Sequence, residues 1–214
     1  MDSMTGEPRP DPKRVAILVF DDAEVLDVCG PFEVFSVAGR RHDLVPFEVG
    51  LVAERPGPVA LRNGFSLNPH WTIDDCPRAD ILIVPGGFGT RREMDNPLLL
   101  DWVRRRAEEA ELVLSVCTGA LILGRTGILD GLDVTTHFGA MDLLRQTAPR
   151  AHVRTGGRFW DNGKVITSAG VSAGLDMSLH VVARLLGDEL AEEAADYMEY
   201  HWDRGEEGMG DEGL

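Results

Sequence analysis

Cysteine is scarce: the 214 residues hold three, Cys29, Cys76 and Cys117, and no two of them form a C-x-x-C pair. That spacing excludes a disulfide framework and a zinc site, and it fits a reduced, cytoplasmic setting. Positive charge is also short. Lysine and arginine number 21 against 36 aspartates and glutamates, for a formal net charge of -15. Nucleic-acid binding depends on neutralising phosphates, so this balance argues against such a partner. It argues equally against an anionic membrane surface. No apolar run approaches the roughly 20 residues that cross a bilayer. The opening MDSMTGEPRPDPKR has no apolar stretch of the kind found in a secretory signal. There is no H-E-x-x-H, and Asp161, His152, His180 and His201 lack metal-ligand spacing. The expectation is a protein with no metal, no organic cofactor and no nucleic-acid or membrane partner.

What is present is an alternation of short apolar runs with longer amphipathic ones. RVAILVF (Arg14–Phe20), DILIVPGG (Asp80–Gly87) and ELVLSV (Glu111–Val116) are nearly continuous Val/Ile/Leu runs. Strands buried on both faces of a parallel sheet have this composition. FEVGLVA (Phe47–Ala53) and KVITS (Lys164–Ser168) are further strand candidates. Helical patterns lie between and after them. Asn96–Ala110 has a cap at Asp95 or Asn96 and Pro97 at the first helical position. Gly174–Gly187 places Leu175, Leu179, Val182 and Leu186 on one stripe and ends at glycine. ELAEEAADYMEYHW reads as a last helix. This order predicts one doubly wound α/β domain over 14–202. Polar, Pro-rich residues 1–13 and acidic, Gly-rich residues 203–214 are expected to be mobile tails.

In such sheets, sites lie beyond the carboxyl ends of the strands. Cys117 ends the run ELVLSV and is followed by Thr118, Gly119 and a helical pattern, with Ser115 and Gly119 as small neighbours. A tight strand-to-helix turn there would lift the thiol out of the sheet. The amides of the helix start would favour a thiolate, and the thiol pKa is expected below its free value of about 8.5. The competing reading is a buried cysteine acting as a small hydrophobe.

Other residues carry weaker signals. From spacing alone, Asp27 is as good an N-cap for PFEVFSVAG as anything else. Its rivals are Glu24, expected in the preceding loop, and Glu33, expected toward solvent. Gly86, Gly87 and Gly89 follow a strand, but neither a P-loop nor G-x-G-x-x-G is met, so no nucleotide role is read from them. AGVSAG holds a literal G-x-S-x-G around Ser172. The acid and histidine of a serine triad would have to follow it, where only helices and a tail are predicted. These glycines are therefore read as letting the loop pack against the cysteine pocket. Cys117, Asp176 and His201 follow the chain order of a cysteine hydrolase triad, but Asp176 falls inside a helical stripe and His201 near a helix end.

FDDAEVLDVCGPFEVFSVAG, VPGGFG, TTHF, SVCTGALILGRTGILDG and ITSAGVSAGLDMSLHVVARLLG together resemble the ThiJ/PfpI superfamily, the class I glutamine amidotransferase-like group. The resemblance spans nearly all of Arg14–Trp202. It implies a flavodoxin-like sandwich, usually a homodimer, with the cysteine on a strained nucleophile elbow. It implies that Asp27 is the acid beside the thiol and that the amides of Gly87 and Thr118, with Gly86 alongside, hold the sulfur or a developing charge. His137, in TTHF, matches a histidine found near the cysteine in many relatives, and Ser172 is expected behind the pocket. Thr118 stands where protease-like members carry histidine, which weakens a Cys-His protease reading. The pattern VCTG and the aspartate at 27 are similar to isonitrile hydratases; the sensing domain of AraC-type regulators is also similar. Three functions follow: hydration of an isonitrile to an N-substituted formamide, a glyoxalase- or deglycase-like reaction on dicarbonyls, or a non-enzymatic small-molecule or redox sensor. Loops such as GFGTRREM and FWDNG are expected to line the pocket and set specificity.

Overall fold

The computed structural model describes residues 11–205. In chain order the strands are β1 (Lys13–Leu18), β2 (Phe47–Ala53), β3 (Val59–Ala60), β4 (Ser66–Leu67), β5 (Trp71–Thr72), β6 (Ile81–Val84), β7 (Leu112–Ser115), β8 (Asp133–Val134), β9 (His152–Val153), β10 (Phe159–Asp161) and β11 (Val165–Ser168). The helices are α1 (Val25–Val37), α2 (Thr90–Glu93), α3 (Pro97–Glu109), α4 (Gly119–Thr126), α5 (Met141–Thr147), α6 (Ala173–Leu186) and α7 (Asp188–Tyr197). Seven strands form the main sheet in the order β10-β11-β7-β6-β1-β2-β5. Every pairing in it is parallel except that of β10 with β11. β3–β4 and β8–β9 are separate two-stranded ribbons.

The apolar runs are the buried strands they were expected to be. Val15, Ile17, Leu18, Ile81–Val84, Val113 and Leu114 are completely buried, as both faces of the sheet are covered. Helices α1, α6 and α7 pack together as one layer and α3, α4 and α5 as the other. Local chemistry sets the ends. Asn96 caps α3, its side chain accepting from the amides of Leu98 and Leu99, with Pro97 at the first position. The last helix stops at Tyr197, short of the expected Trp202, because Glu199 turns into the left-handed region (φ 50°) and Tyr200 N–H reaches back to Ala195.

The fold takes in three residues that the sequence assigned to tails. Lys13 opens β1. Asp203 N–H donates to buried Asp176 at 3.0 Å, and the Arg204 guanidinium lies 4.3 Å from the Trp202 ring while pairing with Asp188. Asp11, Pro12 and Gly205 are described as well, and only 1–10 and 206–214 of the expected tails lie outside the described residues.

Strand order reverses at β1, which has β2 on one side and β6 on the other. The chain leaves the carboxyl ends of β1, β6 and β7 at one edge of the sheet, so the segments leading to α1, α2 and α4 converge there. A topological switch point of this kind is where α/β sheets place their ligands.

Candidate functional site

Cys117 sits at that edge, between β7 and α4, in a left-handed backbone conformation (φ 54°). A non-glycine residue there is strained and persists only if its surroundings hold it. Its N–H donates to the Ala169 carbonyl at 3.2 Å, and the Thr136 hydroxyl donates to its carbonyl at 2.7 Å. The turn is tight enough that a Cβ on Gly119 would lie 2.1 Å from the Val84 carbonyl oxygen. Gly119→Ala should therefore push α4 off the end of β6. We expect a loss of about 3 kcal/mol, measured by urea denaturation.

Asp27 is in the first turn of α1, not at its cap: the helix starts at Val25, and Glu24 occupies the cap position. Pro31, four residues on, has no N–H to give the Asp27 carbonyl, so the helix is irregular at the residue that faces the thiol. The Asp27 side chain is completely buried. Oδ2 accepts from Gly86 N–H at 2.9 Å. The Cys117 thiol interacts with the carboxyl and draws its pKa down, yet among the described residues no donor stands on Oδ1 with hydrogen-bond geometry. The site thus holds one carboxylate oxygen with unused accepting capacity beside a thiol.

Protonation is not what the sequence suggests. Burial pushes the Cys117 thiol up to about 12, with the Asp27 charge adding to it, against the amides of Thr118 and Val171 and the Thr118 hydroxyl. Helix-start amides do face the sulfur, but at 5% exposure the cost of desolvating a thiolate outweighs them. Burial also pushes Asp27 up to about 7, with the Glu24 charge adding, against its bonds to Gly86 and Cys117. At neutral pH the pair therefore holds a proton on sulfur and a carboxyl close to its midpoint.

The glycine loop after β6 serves this pair differently from the expectation. Gly86 N–H is taken by Asp27. Gly87 N–H is taken by Thr118 Oγ1 at 3.0 Å, so neither amide stands open to an oxyanion. Gly87 itself has φ 117°, and a Cβ there would meet the Asp22 carbonyl at 2.4 Å. The amides that face the sulfur are those of Thr118 and Val171. Val171, at φ 44°, was missed. Its only sequence signal is its place inside AGVSAG, beside the serine of the literal G-x-S-x-G.

Ser172 Oγ accepts from Arg158 at 3.2 Å and caps nothing. Asp176 is wholly used: Oδ2 takes the Arg158 guanidinium, and Oδ1 takes the Tyr200 hydroxyl and Asp203 N–H, each at 3.0 Å. His201 is exposed. The Cys-Asp-His order along the chain is not a triad in space. Glu33 is exposed, whereas Glu24 is close enough to act on Asp27 by its charge.

A cavity of about 470 Å³ comes up to the elbow, lined in part by Thr136, His137, Phe138, Met141, Gly170 and Val171. Thr136 donates to the Cys117 carbonyl and the Val171 amide favours its thiolate, while Cys117 is not itself in the lining. His137 packs on Gly170, and its Nδ1 accepts from Gly139 N–H at 3.1 Å, which leaves the proton on Nε2. FWDNG, in contrast, lines a different cavity. Antiparallel β10 carries Asp161 back to pair with Ile166, away from the edge where Ser168 ends β11.

Parallel α/β proteins that present a reactive side chain on a strained strand-to-helix turn form one broad class, and here the residue on the turn is a cysteine. Within that class the chain belongs to the DJ-1/PfpI family, whose model matches residues 13–184. It is 35% identical over 187 residues to the isonitrile hydratase of Pseudomonas putida, covering 87% of this chain and 78% of that enzyme. It is 31% identical over 175 residues to the HTH-type transcriptional regulator CdhR of Pseudomonas aeruginosa, covering 81% of this chain but 51% of the regulator. A THiJ/PfpI family protein from Pseudomonas syringae superposes with a TM-score of 0.82 at 32% identity, over 99% of this chain and 83% of that one. Drosophila melanogaster DJ-1beta shares the fold, with a TM-score of 0.76 at 19% identity. The resemblance read from the motifs and the family match agree.

Proposed function

We propose that the protein is a cysteine-dependent enzyme that hydrates an isonitrile to an N-substituted formamide. The observation that carries this reading is the buried Asp27 carboxyl, raised to about 7, meeting the Cys117 thiol with one oxygen unpartnered. Identity of 35% to an isonitrile hydratase supports the choice of substrate.

In the proposed reaction, sulfur adds to the terminal carbon of R–N≡C. Asp27 takes the thiol proton and returns it to that carbon, giving the thioimidate R–N=CH–S–Cys. Water then adds to the same carbon, Asp27 again moving the proton. The C–S bond breaks, the nitrogen keeps one proton, the sulfur regains another, and R–NH–CHO leaves. The thiol need not be ionised at rest. The active species is the pair holding one proton, which moves as charge develops. The amides of Thr118 and Val171 hold the sulfur.

The dicarbonyl reaction would use the same pair, so parallel incubation with methylglyoxal and an isonitrile separates the two. A redox sensor is less well supported, because oxidation requires thiolate and exposure, and this thiol is 5% exposed and raised to about 12. We also propose a homodimer. Leu26, Phe88 and Phe138 adjoin site residues in sequence and are 38%, 65% and 83% exposed, large apolar side chains that association would cover. Sedimentation velocity should give twice the chain mass, and a monomer at all concentrations rules this out.

A further inference from the structure

The Thr118 hydroxyl has one proton and two acceptors. It lies 3.0 Å from the Gly87 carbonyl oxygen, and it also favours the ionised form of the Cys117 thiol. Its own lone pair is occupied by Gly87 N–H at 3.0 Å. Which way the proton turns depends on what else serves the Gly87 carbonyl.

Thr90 serves it. Thr90 is completely buried, and its Oγ1 lies 2.8 Å from the Gly87 carbonyl oxygen and 3.1 Å from Thr118 Oγ1. Arg91 Nη1 donates both to that carbonyl and to Thr90 Oγ1, each at 3.2 Å. The Thr90 proton has two acceptors in reach, and the Gly87 carbonyl at 2.8 Å is the shorter; Thr90 N–H reaches the same carbonyl at 3.3 Å. Thr118 is 4% exposed, so little water competes for these groups.

We infer that Thr90 is a positioning residue for the elbow thiol: by holding the Gly87 carbonyl it releases the Thr118 hydroxyl proton to the Cys117 sulfur as negative charge collects there. No covalent bond changes; one hydroxyl rotates. The inference rests on Cys117 acting as the nucleophile of the proposed reaction. It adds a residue from α2, at the far end of the loop after β6, to a site otherwise built from α1, the glycines of that loop, the elbow and Val171. Without the Thr90 hydroxyl the carbonyl keeps only the longer donations from the residue-90 N–H at 3.3 Å and Arg91 at 3.2 Å, the Thr118 proton is drawn to it, and the thiolate loses a donor in a place where water cannot replace it.

The test is alkylation of Cys117 by iodoacetamide across a pH series, resolved by peptide mass spectrometry, in the wild type, Thr90→Val and Thr90→Ser. Below the thiol's pKa the rate tracks the thiolate fraction. Thr90→Val should slow Cys117 by about tenfold, Thr90→Ser should restore it, and half-buried Cys29 in the same samples should be unaffected. Equal Cys117 rates in wild type and Thr90→Val overturn the inference, as does a slowing that Thr90→Ser fails to rescue. Should Thr90→Val not fold, as reactivity of buried Cys76 would reveal, Thr90→Ala takes its place with the same expectations. The readout needs no substrate. A rate shift without formamide formation sinks the isonitrile reading alone, and formamide formation without the shift sinks the role of Thr90 alone.

Discussion

Cys117→Ala is expected to reduce formamide formation from an aryl or alkyl isonitrile to the uncatalysed rate, a loss of about four orders of magnitude or more. The effect should be chemical rather than structural. The φ of 54° is as awkward for alanine as for cysteine, and the bonds that hold the turn, from Cys117 N–H to Ala169 and from Thr136 to the Cys117 carbonyl, are made by the backbone of residue 117. Deleting one buried sulfur costs about 1 kcal/mol of packing. A folded variant with no turnover is thus the expected result, read by product chromatography beside a thermal melt. Equal formamide yields from wild type and Cys117→Ala would remove the nucleophile from the proposal, and with it the reaction.

How much of this was legible in the sequence differs by level. The sheet was legible because burial on both faces writes itself as uninterrupted Val/Ile/Leu runs, and β2 begins and ends where its pattern does. The elbow was legible from a strand ending at Cys117 with small residues around it, and the Gly119 contact with Val84 shows why glycine is required. Protonation was not legible. A cysteine at a helix start reads as activated, and nothing in the letters around it reveals that the sulfur will be 5% exposed beside a second acid. Contributions from distant segments were equally hidden. Val171 enters through a backbone amide, which carries no residue preference, and Thr90 is one threonine among many until the loop after β6 folds back on Thr118. The FWDNG segment was misplaced for a topological reason: its antiparallel direction, which sends it away from the site, follows from strand order rather than from its own composition.

Asp27→Asn should separate two roles that a carboxyl can play beside a thiol. If Asp27 acted only through its charge, the amide would help: that charge is one cause of the raised thiol pKa, and removing it lowers the cost of thiolate. Alkylation of Cys117 should accordingly be faster in Asp27→Asn than in wild type. Turnover should nevertheless fall by about 10²–10⁴-fold, because an amide cannot take the thiol proton and return it to carbon. In the wild type, kcat/KM should rise with pH through about 7 as the carboxyl ionises and the pair drops from two protons to one; the variant should lack that limb. Stability should move the other way. The folded carboxyl, at about 7, lies above its ordinary value of 3.8, so folding favours its protonated form. Wild-type stability relative to the variant is then greatest below the ordinary value and is lost as pH rises to about 7, by at most about 4 kcal/mol. Urea denaturation at about pH 5 and about pH 8 should show Asp27→Asn gaining on the wild type at the higher pH. A variant that is more stable at high pH, more readily alkylated and yet inactive has lost a proton carrier and nothing else. One that keeps its turnover shows that the proton travels by another route.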